Sequence, residues 1–86
     1  MKQHRLTPLQ IADFRRYLRR EERAPATIEK YIQNIQEFSA FLQEEAVSKE
    51  AAARWKESLL TAGLAPATVT GKLSALNSLL RFLGRE

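Results

Sequence analysis

A short motif occurs twice in this chain of 86 residues, and that duplication constrains the fold more than any other feature of the sequence. Ala24-Pro25-Ala26-Thr27-Ile28 returns as Ala65-Pro66-Ala67-Thr68-Val69. The apolar residues that follow stay in step: Ile32, Ile35, Phe38, Phe41 and Leu42 align with Leu73, Leu76, Leu79, Phe82 and Leu83. Proline suits the first turn of a helix, where its missing N–H would have no intrahelical acceptor and its φ is already helical. Each copy therefore reads as a helix start followed by an amphipathic helix. A solenoid needs roughly three or more repeats to bury a continuous core, so two copies predict two related helical hairpins packed on each other.

Between the glycines and prolines the apolar residues recur at helical rather than alternating spacing. The pattern predicts one all-α domain over residues 1–86, with helices near 8–22, 25–44, 48–62 and 66–83 and a tail at 1–7. The first helix opens with Thr7 as N-cap and Pro8 at N1, and is expected to bury Leu9, Ile11, Phe14, Tyr17 and Leu18. The second sets Ile28, Tyr31, Ile32, Ile35, Phe38 and Leu42 on one stripe, leaving mostly Glu, Gln, Lys and Ala outside. Ser48 caps a shorter third helix through Ala52, Trp55, Leu59 and Leu60, and Gly63 is placed to supply a left-handed C-terminal cap. The fourth carries Val69, Leu73, Leu76, Leu80 and Leu83 inward, with Thr70, Ser74, Asn77, Ser78 and Arg81 on another face.

Charge and residue chemistry narrow the function. The net charge of +4 and pI near 9.9 favour an anionic partner such as nucleic acid. The charge is uneven: residues 1–23 sum to +4, residues 24–47 to −3 and the remainder to +3. No cysteine is present, and the sequence offers no paired carboxylates, Cys-His or Ser-His arrangement and no Gly-rich phosphate loop. No catalytic residue, cofactor or metal site is therefore expected. His4 falls in the tail without companion ligands, while Tyr17 and Tyr31 sit on apolar stripes and read as core rather than nucleophiles. The N-terminus lacks the apolar segment of a signal peptide, and no stretch approaches the ~20 apolar residues that span a bilayer. A cytoplasmic chain with no membrane partner is the expectation.

The two proline motifs, at this separation, resemble the N-terminal core-binding (SAM-like) domain of the tyrosine recombinase, or phage integrase, family. In that family the first copy typically reads Ser-Pro-x-Thr-Ile, then a Tyr, an aliphatic, a Phe and a Phe-Leu. Here it stands as Ala24-Pro25-Ala26-Thr27-Ile28, Tyr31, Ile35, Phe38 and Phe41-Leu42. The second typically reads Gly-Leu-Ser-Pro-x-Thr, a Leu-Ser-Ala-Leu run and a Phe-Leu ending, matched by Gly63-Leu64-Ala65-Pro66-Ala67-Thr68, Leu73-Ser74-Ala75-Leu76 and Phe82-Leu83. The resemblance runs from about Ile11 to Leu83. It departs at Ala24 and Ala65, where a serine cap is usual, at Gly71, often basic in relatives, and at Asn77, where arginine is common.

What the resemblance implies is a DNA-binding role in recombination and integration. Such a domain is one jaw of a C-shaped clamp on double-stranded DNA, its second and fourth helices against the major groove, with a separate catalytic domain closing from the opposite face. On that view this chain alone cuts nothing, contacts other recombinase protomers in the full-length context and is monomeric in isolation. The residues expected at the DNA are Thr27, Lys30, Asn34, Thr68, Thr70, Lys72, Ser74, Asn77 and Arg81: short uncharged side chains for close approach, cations for phosphates and helix N-termini with free N–H groups. Glu29 and Glu37 would repel phosphates unless they face away or read a cytosine amino group. Each site residue also has a plainer reading. Thr27 and Thr68 serve as first-turn residues bonding locally, and Lys30, Lys72 and Arg81 as solvated charges. The Arg15, Arg16, Arg19 and Arg20 run reads as a solvated face paired with Glu21 and Glu22, or else as a phosphate-facing strip. The alternative function is a helical protein-interaction module with a basic face, for which Phe41 and Phe82 would be exposed and sticky.

Overall fold

The computed structural model describes residues 6–43 and 45–84. Four helices follow one another: α1 (Pro8–Arg20), α2 (Pro25–Leu42), α3 (Lys49–Thr61) and α4 (Pro66–Leu83). Each helix of the second pair begins and ends 41 positions after its counterpart in the first. The duplication thus extends beyond the proline motif to both hairpins in full.

Local chemistry repeats with the same offset. Thr7 Oγ1 accepts from the Gln10 N–H at 3.1 Å and Ser48 Oγ from the Ala51 N–H at 3.0 Å, each satisfying one of the free donors of a helix start. Both hairpin turns close as Schellman motifs. Glu22 N–H donates to Arg19 O at 3.0 Å and Arg23 N–H to Leu18 O at 3.3 Å; Gly63 N–H donates to Leu60 O at 3.0 Å and Leu64 N–H to Leu59 O at 3.3 Å. The pivotal residue is left-handed in each, Glu22 with φ 58° and Gly63 with φ 86°. Glu22 is why α1 stops at Arg20 rather than at residue 22. Gln43, also left-handed at φ 57°, ends α2 after Leu42; position 44, the expected helix end, lies outside the described residues. Leu6 packs on the core and Thr7 caps α1, so neither is loose tail, while residues 1–5, His4 among them, lie outside the described residues.

The helices α2 and α4 pack on each other at the centre, with α1 against α2 and α3 against α4. Phe14, Leu18, Ile35, Phe38, Leu76 and Leu79 are fully buried between them. Aromatic contacts lock the hairpins together: Phe38 meets Trp55 of α3 at 5.0 Å between ring centroids, and Phe82 meets Phe14 and Tyr17 of α1 at 5.7 and 5.2 Å. Phe41 is half-buried beside Phe38. Phe41 and Phe82, which an interaction module would expose, are therefore both partly buried against the protein's own core.

Two leucines expected inside lie outside, Leu9 at 73% and Leu60 at 44% exposure. Each sits five residues from the aromatic that anchors its helix, Phe14 or Trp55, and five residues turn a helix to roughly 140° from the anchor. None of the described helices is long and apolar enough to cross a membrane.

Candidate nucleic-acid interface

The N-terminal halves of α2 and α4 lie side by side and enclose an open groove of about 730 Å³. Its lining follows the duplication. Ala26 and Ala67, Thr27 and Thr68, Lys30 and Gly71, Tyr31 and Lys72, and Gln33 and Ser74 are equivalent pairs in the two hairpins, and all ten border the groove together with Asn34 and Glu37. Each helix thus presents the same face to the same space.

Both helices enter this groove without side-chain caps. Ala24 and Ala65 hold extended N-cap backbones, φ −61° and −62°, and offer no side-chain acceptor. The first intrahelical bonds are Ile28 N–H to Ala24 O and Val69 N–H to Ala65 O, each 3.0 Å. The N–H groups of Ala26, Thr27, Ala67 and Thr68 are left without an intrahelical acceptor, and all four residues line the groove. A capping serine would have occupied one donor at each end.

Six of the nine residues expected at the DNA meet here: Thr27, Lys30, Asn34, Thr68, Lys72 and Ser74. The other three do not line the groove. Thr70, Asn77 and Arg81 are exposed on α4 and join Ser74 in an i, i+4, i+7, i+11 stripe, so an exposed polar stripe leads from the groove at Ser74 along the outside of α4. Two placements differ from expectation. Asn34, expected on the outer face, is buried at 5% exposure, and Ser78, expected beside Asn77, is buried at 6%. Both belong to the central helix pair, where a helix packed on more than one neighbour buries an arc wider than a single apolar stripe.

The charges of the groove are unequal. The Lys72 ammonium is largely enclosed, with its side chain 15% exposed. It donates to Asn34 Oδ1 at 3.3 Å and is ion-paired with Glu37. Lys30 is exposed, and no ion pair to it is found among the described residues. Glu29 turns to α1, where it pairs with Arg15; Glu37 stays in the groove. On α1, Arg16 pairs with Asp13 at 3.0 Å; in the turn that follows, Arg23 lies 5.6 Å above the Tyr31 ring. Within the arginine run, Arg15 and Arg16 thus find partners in Glu29 and Asp13 rather than in the expected Glu21 and Glu22.

Sequence reasoning left Gln33, Tyr31 and Gly71 out of the interface and gave Glu37 no partner within the groove, only repulsion of phosphates unless it faced away or read a cytosine amino group. The repeat itself held the signal. Carrying the correspondence of Thr27 with Thr68 forward pairs Lys30 with Gly71, Tyr31 with Lys72 and Gln33 with Ser74.

Four helices in two hairpins make this an all-α SAM-like domain. Residues 11–86 match the family described as phage integrase, N-terminal SAM-like domain, and the chain belongs to that family. Comparisons with curated proteins and with solved structures returned no match.

Proposed function

We propose that this domain grips double-stranded DNA as one half of a clamp in a site-specific tyrosine recombinase. The observation that carries the reading is the single groove lined by both copies of the repeat, where two uncapped helix N-termini, Lys30, Lys72 and a border of small polar side chains converge in a chain of the integrase family. Free N–H groups at a helix start bind phosphate oxygens, helped by the positive end of the helix dipole. The α4 stripe of Thr70, Ser74, Asn77 and Arg81 spans roughly 16 Å at 1.5 Å per residue. Its short side chains permit close approach to base edges, while Arg81 reaches a phosphate.

In this reading the chain is not an enzyme by itself. Strand cleavage belongs to a separate catalytic domain of the parent recombinase, and the present domain supplies affinity, site preference and contacts to other protomers, without a cofactor. It acts in the cytoplasm and is monomeric in isolation. Of the interaction-module alternative, which had a basic face for an acidic partner or exposed phenylalanines for another chain, the second part loses support because Phe41 and Phe82 are packed against the core.

A salt titration of duplex binding by fluorescence anisotropy tests the proposal. Binding through phosphates makes log K fall linearly with log salt, by about 0.9 per phosphate neutralised on duplex DNA. The Lys30→Ala variant should bind more weakly on every sequence and lower that slope by about 1. Salt-independent binding, or an unchanged slope in the variant, would contradict the assignment of the groove.

A further inference from the structure

We propose that Glu37 masks Lys72, so that the groove grips DNA in full only when a phosphate displaces the Glu37 carboxylate. The inference rests on the DNA-binding reading above and concerns how the same groove is regulated.

Three observations support it. The first is the state of the two groove cations. Lys30 stands exposed, whereas Lys72 is enclosed and its ammonium already engages Glu37 and Asn34. An ammonium has three donors, so one remains for an incoming anion, and the positive charge that would attract it is offset by the neighbouring carboxylate. The second is position. Glu37 borders the groove itself, so it would face any phosphate that approached Lys72. Glu29, the other acid of the exposed α2 surface, is held on the α1 side by Arg15. The third is the asymmetry of the repeat. The counterpart of Glu37 in the second hairpin is Ser78, which is buried, and the counterpart of Lys72 is Tyr31. The pair bridges the two hairpins, and the symmetry-related positions Tyr31 and Ser78 do not repeat it, so it is no part of the framework that the duplication builds.

The carboxylate is also displaceable. The Glu37 side chain is 46% exposed, and ion pairs at such exposure add little to stability. A phosphate oxygen offers Lys72 the same charge-assisted hydrogen bond that Glu37 supplies. DNA that presents a phosphate at Lys72 would exchange one anion for another, while DNA that does not would meet the repulsion of Glu37. The mask lowers affinity for indifferent sequence and leaves the groove selective for a duplex of the right shape.

The test compares the 86-residue chain with Glu37→Gln, Lys72→Met and the double variant, using anisotropy on several short duplexes of unrelated sequence across a salt series. Thermal melts of each variant establish that it is folded. Glu37→Gln should bind every duplex about fivefold more tightly at low salt, with a salt slope steeper by about 0.9. The gain should vanish in the Lys72→Met background. If wild type binds in a salt-dependent manner and Glu37→Gln binds no better, the mask is refuted and the DNA reading survives. A gain that persists without Lys72 would reduce the effect to general charge and refute the pairing. Weaker binding of Glu37→Gln to some duplexes only would make Glu37 a base reader instead. If neither wild type nor Glu37→Gln binds at low salt, the DNA reading itself falls and the mask falls with it.

Discussion

Glu22 and Gly63 occupy equivalent positions and adopt the same left-handed region of backbone, yet only one of them is glycine. A side chain in that region clashes with its own carbonyl, at about 1–2 kcal/mol. Glu22→Gly should therefore stabilise the chain by about 1 kcal/mol, and Gly63→Ala should destabilise it by a similar amount. A Cβ at Gly63 meets nothing within 4 Å, so that loss is backbone conformation alone. Urea unfolding of the two variants measures both signs. The helix starts give a second pair of changes: Ala65→Ser, and likewise Ala24→Ser, supplies the missing cap and should add about 1 kcal/mol per helix in the same assay. At this scale the sequence was partly legible. Thr7, Ser48 and Gly63 announce caps because their side chains, or lack of one, suit that backbone. Glutamate carries no such signal, and Glu22 becomes intelligible only as the counterpart of Gly63.

The central helices show what periodicity can and cannot reveal about an element. All four helices were readable from apolar spacing and proline placement, and the core residues Phe14, Phe38, Trp55, Leu76 and Leu83 fall on their expected faces. The misplacements of Asn34 and Ser78 share a cause. Both lie on the α2–α4 pair, which is flanked by α1 and α3, and flanking burial draws in polar positions that a single-stripe reading leaves outside. Leu9 and Leu60 err the other way, since apolar character alone does not bring a residue onto the buried arc. Within α4, Gly71 is an unforced weakness: an added Cβ meets nothing within 4 Å. Gly71→Ala should stabilise the chain by about 1 kcal/mol, the helix-interior difference between the two residues. A thermal melt that fails to rise would mean that α4 needs glycine there for a reason other than packing.

Across the whole molecule, the duplication joins fold to function. Two hairpins built alike bring like helix starts to one groove, and this convergence was not visible from either motif separately. The sequence named six residues that the fold unites and three that extend along α4, but it could not foresee that Lys72 would be tied to Glu37 and Asn34, because those partners are far apart in the chain and meet only through helix packing. The arginines of α1 supply much of the positive charge, yet they lie on another helix from the groove, and Arg15 and Arg16 are engaged by Glu29 and Asp13. Net charge alone would have pointed to α1 rather than to the groove.

The most direct test of the central claim is an NMR titration of the labelled chain with a short duplex at low and moderate salt, following every backbone amide. The groove account predicts salt-sensitive shifts clustered at Thr27, Lys30, Thr68, Lys72 and Ser74, with smaller changes along α4 to Arg81. Shifts absent even at low salt, or confined to the Arg15–Arg20 surface of α1, would contradict it.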